Sequence, residues 1–185
     1  MNDNLRQKLQ IISKILREIP EFRYIGDPVL RSKTKKVLYS EGLEIGKGLG
    51  KILIKYRKIA GFGRGLAAPQ IGVNKSVFVS YVNDKLQIYI NPRITKHSKS
   101  NNYYRELCLS SGFTWADIKR LEWIELEWIN EKGKRIHQKF DDFMARLIQH
   151  EYSHLLGKIN LDEAEKQTIE FAKNPLEETL RKAKN

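Results

Sequence analysis

The stretch that most restricts how this chain folds is Gln149-His150-Glu151-Tyr152-Ser153-His154-Leu155. From Asp141 onward the apolar residues Phe143, Met144 and Leu147, with Phe140 before them, recur at spacings of three and four. That spacing predicts a helix, with Asp141 or Asp142 available as its N-cap and Gly157 as its stop. At 3.6 residues per turn His150 and His154 stand one above the other on the side of Phe143 and Leu147, with Glu151 beside them. A face due for burial therefore carries two imidazoles and a carboxylate. Burying them without partners would cost several kcal/mol, a large share of the roughly 5–15 kcal/mol by which a domain is stable. A divalent cation removes the conflict. Histidines at i and i+4 each give one nitrogen to the same ion, and the glutamate between them reaches a water that the ion acidifies. A hydrogen-bonded pair of core histidines would explain the spacing of the rings but not the glutamate.

Catalytic sites generally use three protein ligands and leave the fourth position open, so another residue has to join the pair. The candidates are Cys108, His97, His137, Glu163 and Glu170. A thiolate suits Fe(II), Zn(II), Co(II) and Ni(II). Cys108 lies in the short apolar phrase Glu106-Leu107-Cys108-Leu109-Ser110, where a strand would present it inward. A lone cysteine is also commonly a small buried hydrophobe, and at this point the candidates stay open.

The rest of the chain predicts the frame. Leu5, Leu9, Ile12, Leu16 and Ile19 form the stripe of an amphipathic helix, an N-terminal extension over residues 1–24 whose stripe caps the core and which Pro20 limits. A second helix is expected from Glu41 to Ile59, with Leu43, Ile45, Leu49, Ile52, Leu53 and Tyr56 inward, although Gly46, Gly48 and Gly50 speak against it. The glycine-rich phrases there lack the Gly-x4-Gly-Lys-Ser/Thr order of a phosphate loop, so no nucleotide site is expected. Ser76–Val82 and Leu86–Pro92, joined through Asn83-Asp84-Lys85, predict one hairpin; the alternation of Ile124, Leu126 and Trp128 with Glu125 and Glu127, followed by Arg135–Phe140, predicts another. A C-terminal helix is expected over residues 166–185. The result is an α+β fold in one domain, 1–185, with mostly antiparallel sheets packed around a central metal-binding helix and flanking helices at both ends.

Composition narrows the setting. The 34 Lys and Arg exceed the 22 Asp and Glu, giving a net charge of +12. The excess is scattered, so it describes either a solvated basic surface or one facing an anionic partner such as ribosomal RNA. A single cysteine makes no internal disulfide, and no apolar run approaches the ~20 residues a membrane span needs. The expected location is the cytoplasm, most simply a bacterial one. An organelle is disfavoured by Asp3 and Glu18 in the first segment but stays open.

Three phrases carry a resemblance. Gly63-Arg64-Gly65-Leu66-Ala67-Ala68-Pro69-Gln70-Ile71-Gly72-Val73, Glu106–Ser110 and Gln149–Ile159 resemble the three motifs of the peptide deformylases, in the family's order and at comparable spacing. Gly26–Arg31 and Ile90–Ile94 extend the likeness. The resemblance implies that Cys108, His150 and His154 hold a divalent metal, Fe(II) natively with Zn(II), Ni(II) or Co(II) as substitutes, and that Glu151 is general base and acid. It implies that Gln70 and the backbone N–H of Leu109 hold an oxyanion. Gly63 and Gly65 would let the substrate backbone lie along the cleft as an added strand, with Leu107 bordering the same groove. The implied substrate is the N-formyl group of formyl-methionine on nascent polypeptides, released as formate.

The family pattern is broken at three places. Leu107 stands where a glycine is usual, which would narrow the cleft and alter substrate preference. Ser153 stands where an aspartate is usual, which removes a charged hydrogen bond near the ligands. The phrase Cys108-Leu109-Ser110-Ser111-Gly112 replaces the usual apolar residue and proline. These departures motivate an alternative, a catalytically impaired deformylase-like binding protein acting at the ribosome or on peptides. A zincin-type endopeptidase with Glu170 as third ligand is a further one.

Overall fold

Two antiparallel sheets hold one helix between them. The computed structural model describes residues 3–112 and 114–171. Along the chain come α1 (Asp3–Glu18), α2 (Tyr39–Ala60), β1 (Gly65–Ala67), β2 (Val77–Val82), β3 (Lys85–His97), β4 (Asn101–Leu107), β5 (Thr114–Leu121), β6 (Trp123–Ile129), β7 (Arg135–Asp141), α3 (Asp142–Leu155) and β8 (Glu170–Phe171). Strands β1-β2-β3-β6-β7 form a five-stranded sheet and β4-β5-β8 a three-stranded one. Both expected hairpins form. The first turns on Asn83 and Asp84 alone, both at positive φ, so Lys85 already pairs with Val82. The pairing of β4 with β5, which creates the second sheet, left no clear alternation in the sequence.

The five-stranded sheet is covered on both faces, which explains the unbroken apolar run of β2. Val77 and Val79 face α2 in one core cluster, and Phe78 faces α3 in the other. On the α3 side a row of rings runs from Phe78 stacked on Tyr89, through Trp128, to Phe140. On the other side α2 lies directly on β3. A Cβ at Gly42 would stand 2.6 Å from Ile90, one at Gly46 2.4 Å from Ile88, and one at Gly50 2.5 Å from Leu86. Glycines one helical turn apart thus face alternate residues of one strand, about 6 Å apart along both elements. The glycines that spoke against α2 as a helix are what seats it. Gly48 points into open space and has no such role.

Two expectations need correction at the ends. In α1 Ile15 is buried, as is Ile19 just past its end, whereas Leu9 and Leu16 are exposed. Of the expected stripe Ile12 and Ile19 do pack on the core, but Ile11 and Ile15 take the place of Leu9 and Leu16 beside them; Leu5 lies outside the residues whose side chains are described. Residues 166–171, the start of the expected C-terminal helix, form a 3-10 turn, Lys166–Thr168, and strand β8. The hydrogen bond from Asp117 N–H to Thr168 Oγ1 and the pairing of Trp115 with Glu170 draw this segment onto β5; residues 172–185 lie outside the described part. Among the described residues no helix is long and apolar enough to cross a membrane.

The glycine contacts fix opposite signs for two similar substitutions. Gly46→Ala should destabilise by about 1–3 kcal/mol through overpacking, whereas Gly48→Ala should stabilise by roughly 0.5–1 kcal/mol through helix propensity alone. Urea unfolding of both variants measures this, and equal effects would contradict the seating of α2 on β3.

Candidate metal centre

Helix α3 buries two different faces. Ala145, Ile148 and Leu155 pack into the aromatic row beneath the five-stranded sheet, while Arg146, Gln149, His150 and Ser153 meet the three-stranded one. Gln149 pairs with both backbone groups of Leu121, and Arg146 donates to the carbonyls of Asn102, Tyr104 and Ile118. These bonds fix the roll of the helix. Phe143 and Leu147 flank the open side, where they line a cleft with His150 and Glu151. The chain leaves α3 at Gly157, whose φ is +78° and whose Cβ would stand 2.7 Å from the Arg31 carbonyl oxygen, so only glycine fits.

Cys108 follows the last residue of β4 and starts a 3-10 turn, Leu109–Ser111. It is fully buried, and its Sγ lies 3.3 Å from His154 Nε2. One donor atom each from Cys108, His150 and His154 fall within 4.8 Å of one another. Tetrahedral coordination with metal–ligand distances of about 2.0–2.3 Å puts donors roughly 3.5 Å apart, so the three fit a common ion. His150 Nδ1 donates to Glu106 Oε2 at 3.0 Å, which leaves Nε2 as the nitrogen available to an ion. His97, bonded to the Ser98 carbonyl, His137, beside Glu125, and Glu170, paired with Arg105, are all engaged elsewhere.

The electrostatics ask for positive charge at this point. Burial alone would raise the Cys108 thiol, but the charge of His154 and the hydrogen bond from His150 outweigh it and hold the thiol well below its usual range. Burial would likewise lower His150, yet its bonds to Cys108 and Glu106 raise it well above the ordinary histidine value. A thiolate and a carboxylate thus pull cation character into the space between the rings, the field that a divalent ion would satisfy.

Glu151 is 3% exposed. Burial, reinforced by the nearby charges of Cys108 and Glu106, outweighs the two histidines and lifts its carboxyl to about 7. Its Oε2 has no hydrogen-bond partner among the described residues. The carboxylate is seated against Gly65, where a Cβ would stand 2.2 Å from Oε1. Gly65 therefore serves the glutamate first. It also lies on β1, an edge strand of its sheet among the described residues. Because Tyr81 N–H donates to Arg64 O, alternation turns the N–H and C=O of residue 65 outward. Gly63 has φ +119° and abuts the Tyr56 ring.

Gln70 is buried, with its Oε1 accepting from Ala67 N–H at 2.8 Å. That bond orients the amide, so Nε2 points at Ser110 Oγ, 3.3 Å away, and at Cys108 Sγ, 3.8 Å away. Leu109 N–H, first in its 3-10 turn, has no partner within the turn. Arg23 N–H donates to the Gln70 carbonyl and Ile25 N–H to the Ser110 carbonyl, so the segment after α1 clamps both loops. Leu107 is half-buried and stands in a shared wall. On one side is the cleft, about 590 Å³; on the other is an apolar cavity of about 30 Å³ lined by Ile12 and Ile15 of α1.

Sequence reasoning missed the groups behind the ligands. Glu106 accepts from Arg120 at 3.0 and 3.2 Å, from Arg146 at 2.6 Å and from His150. With so many donors its carboxyl is held far below the usual range: burial opposes this, and the Arg120 charge and the His150 bond prevail. The only sequence signal was the place of Glu106 two residues before the cysteine. Ser153, which looked like a lost contact, is buried and bonded to Arg120 and to Glu163.

Comparison with known proteins gives the family. Residues 19–170 match the family model described as polypeptide deformylase. The peptide deformylase of Pseudothermotoga lettingae is 38% identical over 144 residues, which cover 78% of this chain and 82% of that protein. That of Treponema pallidum is 36% identical over 142 residues, covering 77% and 86%. Among solved structures, a peptide deformylase from Synechococcus elongatus in complex with actinonin superposes with a TM-score of 0.69 at 32% identity, over 84% of this chain and 80% of that one. The Thermotoga maritima enzyme gives 0.69 at 32%, over 77% and 95%.

The geometry separates two ligand sets. Cys108→Ala should abolish retention of a divalent metal through gel filtration, whereas Glu170→Ala, which loses only its pairing with Arg105, should retain it. Elemental analysis of both variants reads the outcome, and metal retained by the cysteine variant would overturn the assignment.

Proposed function

Because this chain belongs to the peptide deformylase family, we propose that its buried cysteine and paired histidines serve that family's reaction. This is the metal-dependent hydrolysis of the N-formyl group from formyl-methionine at the start of nascent polypeptides, releasing formate and a free amino terminus. The observation that carries the reading is the meeting of three donor atoms beside a buried carboxylate at the floor of an open cleft. We read Cys108, His150 and His154 as the ligands and Fe(II) as the native ion; Zn(II), Ni(II) and Co(II) also suit a thiolate with two imidazoles.

When bound, the cation supplies Lewis acidity that lowers the pKa of water and polarises a carbonyl. The protein's own groups do the rest. Glu151, with a carboxyl near neutrality, takes a proton from the attacking water and delivers it to the departing amine. Gln70 Nε2, aimed by the Ala67 bond, and Leu109 N–H donate to the oxygen that gains negative charge. The outward-facing backbone of Gly65, next to Gly63, receives the peptide as an additional strand.

The whole chain, 1–185, reads as one domain, with α1 preceding the matched region as an extension. Its net charge of +12 supports ribosomal RNA as a neighbour of the substrate, and the cytoplasm, where nascent formylated chains emerge, as its place of work.

Metal-loaded protein, handled without oxygen, should release formate from formyl-methionyl peptides. Glu151→Gln should lower kcat by about 10²–10⁴-fold while metal content stays unchanged; inactivity of the wild-type protein with Fe, Ni and Co alike would sink the reading. Leu107→Gly should open the cleft wall and raise kcat/KM for formyl tripeptides more than for formyl-methionine, and an equal effect on both substrates would show that the side chain does not reach the peptide path.

A further inference from the structure

Arg120, on β5, is 5% exposed and joins two carboxylates. Its Nε and Nη2 hold both oxygens of Glu106, at 3.2 and 3.0 Å. Its Nη1 turns the other way, donating to Glu163 Oε2 at 2.6 Å and to Ser153 Oγ at 3.0 Å. Ser153 completes a triangle by donating to the same Glu163 oxygen at 2.9 Å. A guanidinium presents its donors in a rigid planar fork, so fixing one end fixes the other. Glu106 in turn holds His150 Nδ1. An unbroken chain of short polar contacts therefore runs from Glu163, on the segment after the 3-10 turn Asn160–Asp162, to an imidazole of the metal centre.

Charge balance makes Glu163 more than a bystander. Glu106 is shared between Arg120 and Arg146, so two buried guanidiniums divide one carboxylate. Glu163 supplies the second negative charge. The other residue that meets Arg120 on this side, Ser153, is buried on α3, and its hydroxyl can hold a carboxylate but cannot replace one. Lys158 is the other cation near Glu163, and at 3.4 Å on the exposed side it leaves the bond to Arg120 intact.

We propose that Glu163 is a positioning residue for the metal centre: clamped by Ser153, it sets the orientation of Arg120, which through Glu106 fixes the ring and tautomer of His150. The inference rests on the ligand set read above, not on turnover. It also gives Ser153 a role, since the carboxylate needed beside Arg120 arrives from position 163 and the serine hydroxyl bridges the gap.

The test uses the full-length protein loaded with Co(II), read by its visible absorption spectrum and by competition with a chelator. Glu163→Gln should weaken Co(II) binding by roughly 10–100-fold and shift the ligand-field bands. Glu106→Gln should do the same, and the double variant should lose little more than either single change, because the two act in series. Adding Ser153→Asp to Glu163→Gln should restore affinity and spectrum by placing a carboxylate beside Arg120 Nη1. Unchanged affinity and bands in Glu163→Gln would overturn the proposal, as would full additivity in the double variant. Should Glu163→Gln not fold, Ser153→Ala, which keeps every charge, should still weaken Co(II) binding several-fold, and wild-type affinity there would equally overturn it. Absence of formate release from a protein that binds Co(II) normally would count against the proposed reaction and leave this inference standing.

Discussion

The buried pairing of Arg120 with Glu106 is the contact on which the rest of the site depends. It links β5 to β4, neutralises a carboxylate that could not otherwise be buried, and aims that carboxylate at His150. Removing one partner of such a pair typically costs about 3–5 kcal/mol because the other charge is left buried alone. Here the loss would also free an imidazole of the cluster, so stability and site geometry share one interaction. Arg146 reinforces it from α3 and ties the same carboxylate to the helix that bears both histidines.

The fold explains why such a network is possible. Helix α3 packs its small and aliphatic residues into the aromatic row of one sheet, which anchors it, and turns its polar residues toward the second sheet, whose strand ends supply carbonyls and charged groups. A helix lying on one sheet would expose that polar face to water, and the charges would have no reason to order. The second sheet also brings Cys108 into reach, since the chain leaves β4 one residue before it. Gly65 completes the arrangement by lacking the Cβ that would collide with Glu151, on the edge strand of the five-stranded sheet as the described residues form it.

The departures from the family pattern look different in this setting. Ser153 lies in a hydrogen-bonded triangle with Arg120 and Glu163, so the site keeps a carboxylate at that spot. Leu107 fills a wall between the cleft and a small cavity beneath α1, the helix that precedes the matched part of the chain. Its side chain therefore belongs to the core cluster that α1 joins as much as to the cleft.

Periodicity in the sequence by itself determined both hairpins, α3 and the stacking of His150 over His154, because each follows from spacing along a single element. Likeness of motif, not geometry, singled out Cys108 among the candidate third ligands. The glycines of α2 read as helix-weakening residues, since their purpose lies in a strand some forty positions away that only packing brings beneath them. The part of α1 that is buried was misjudged for the same reason: its apolar arc is wide, and the partner decides which edge of it is covered. Of the charged residues behind the cluster, Arg120 and Arg146 carried no local signal, Glu106 stood out only by its place two residues before the cysteine, and Glu163 was one candidate ligand among several with nothing to show its pairing with Arg120. A buried ion pair between separate elements leaves no period in the chain. Tertiary structure alone decided which charges would be taken out of water together, and so which residues stand behind the cluster of Cys108, His150 and His154.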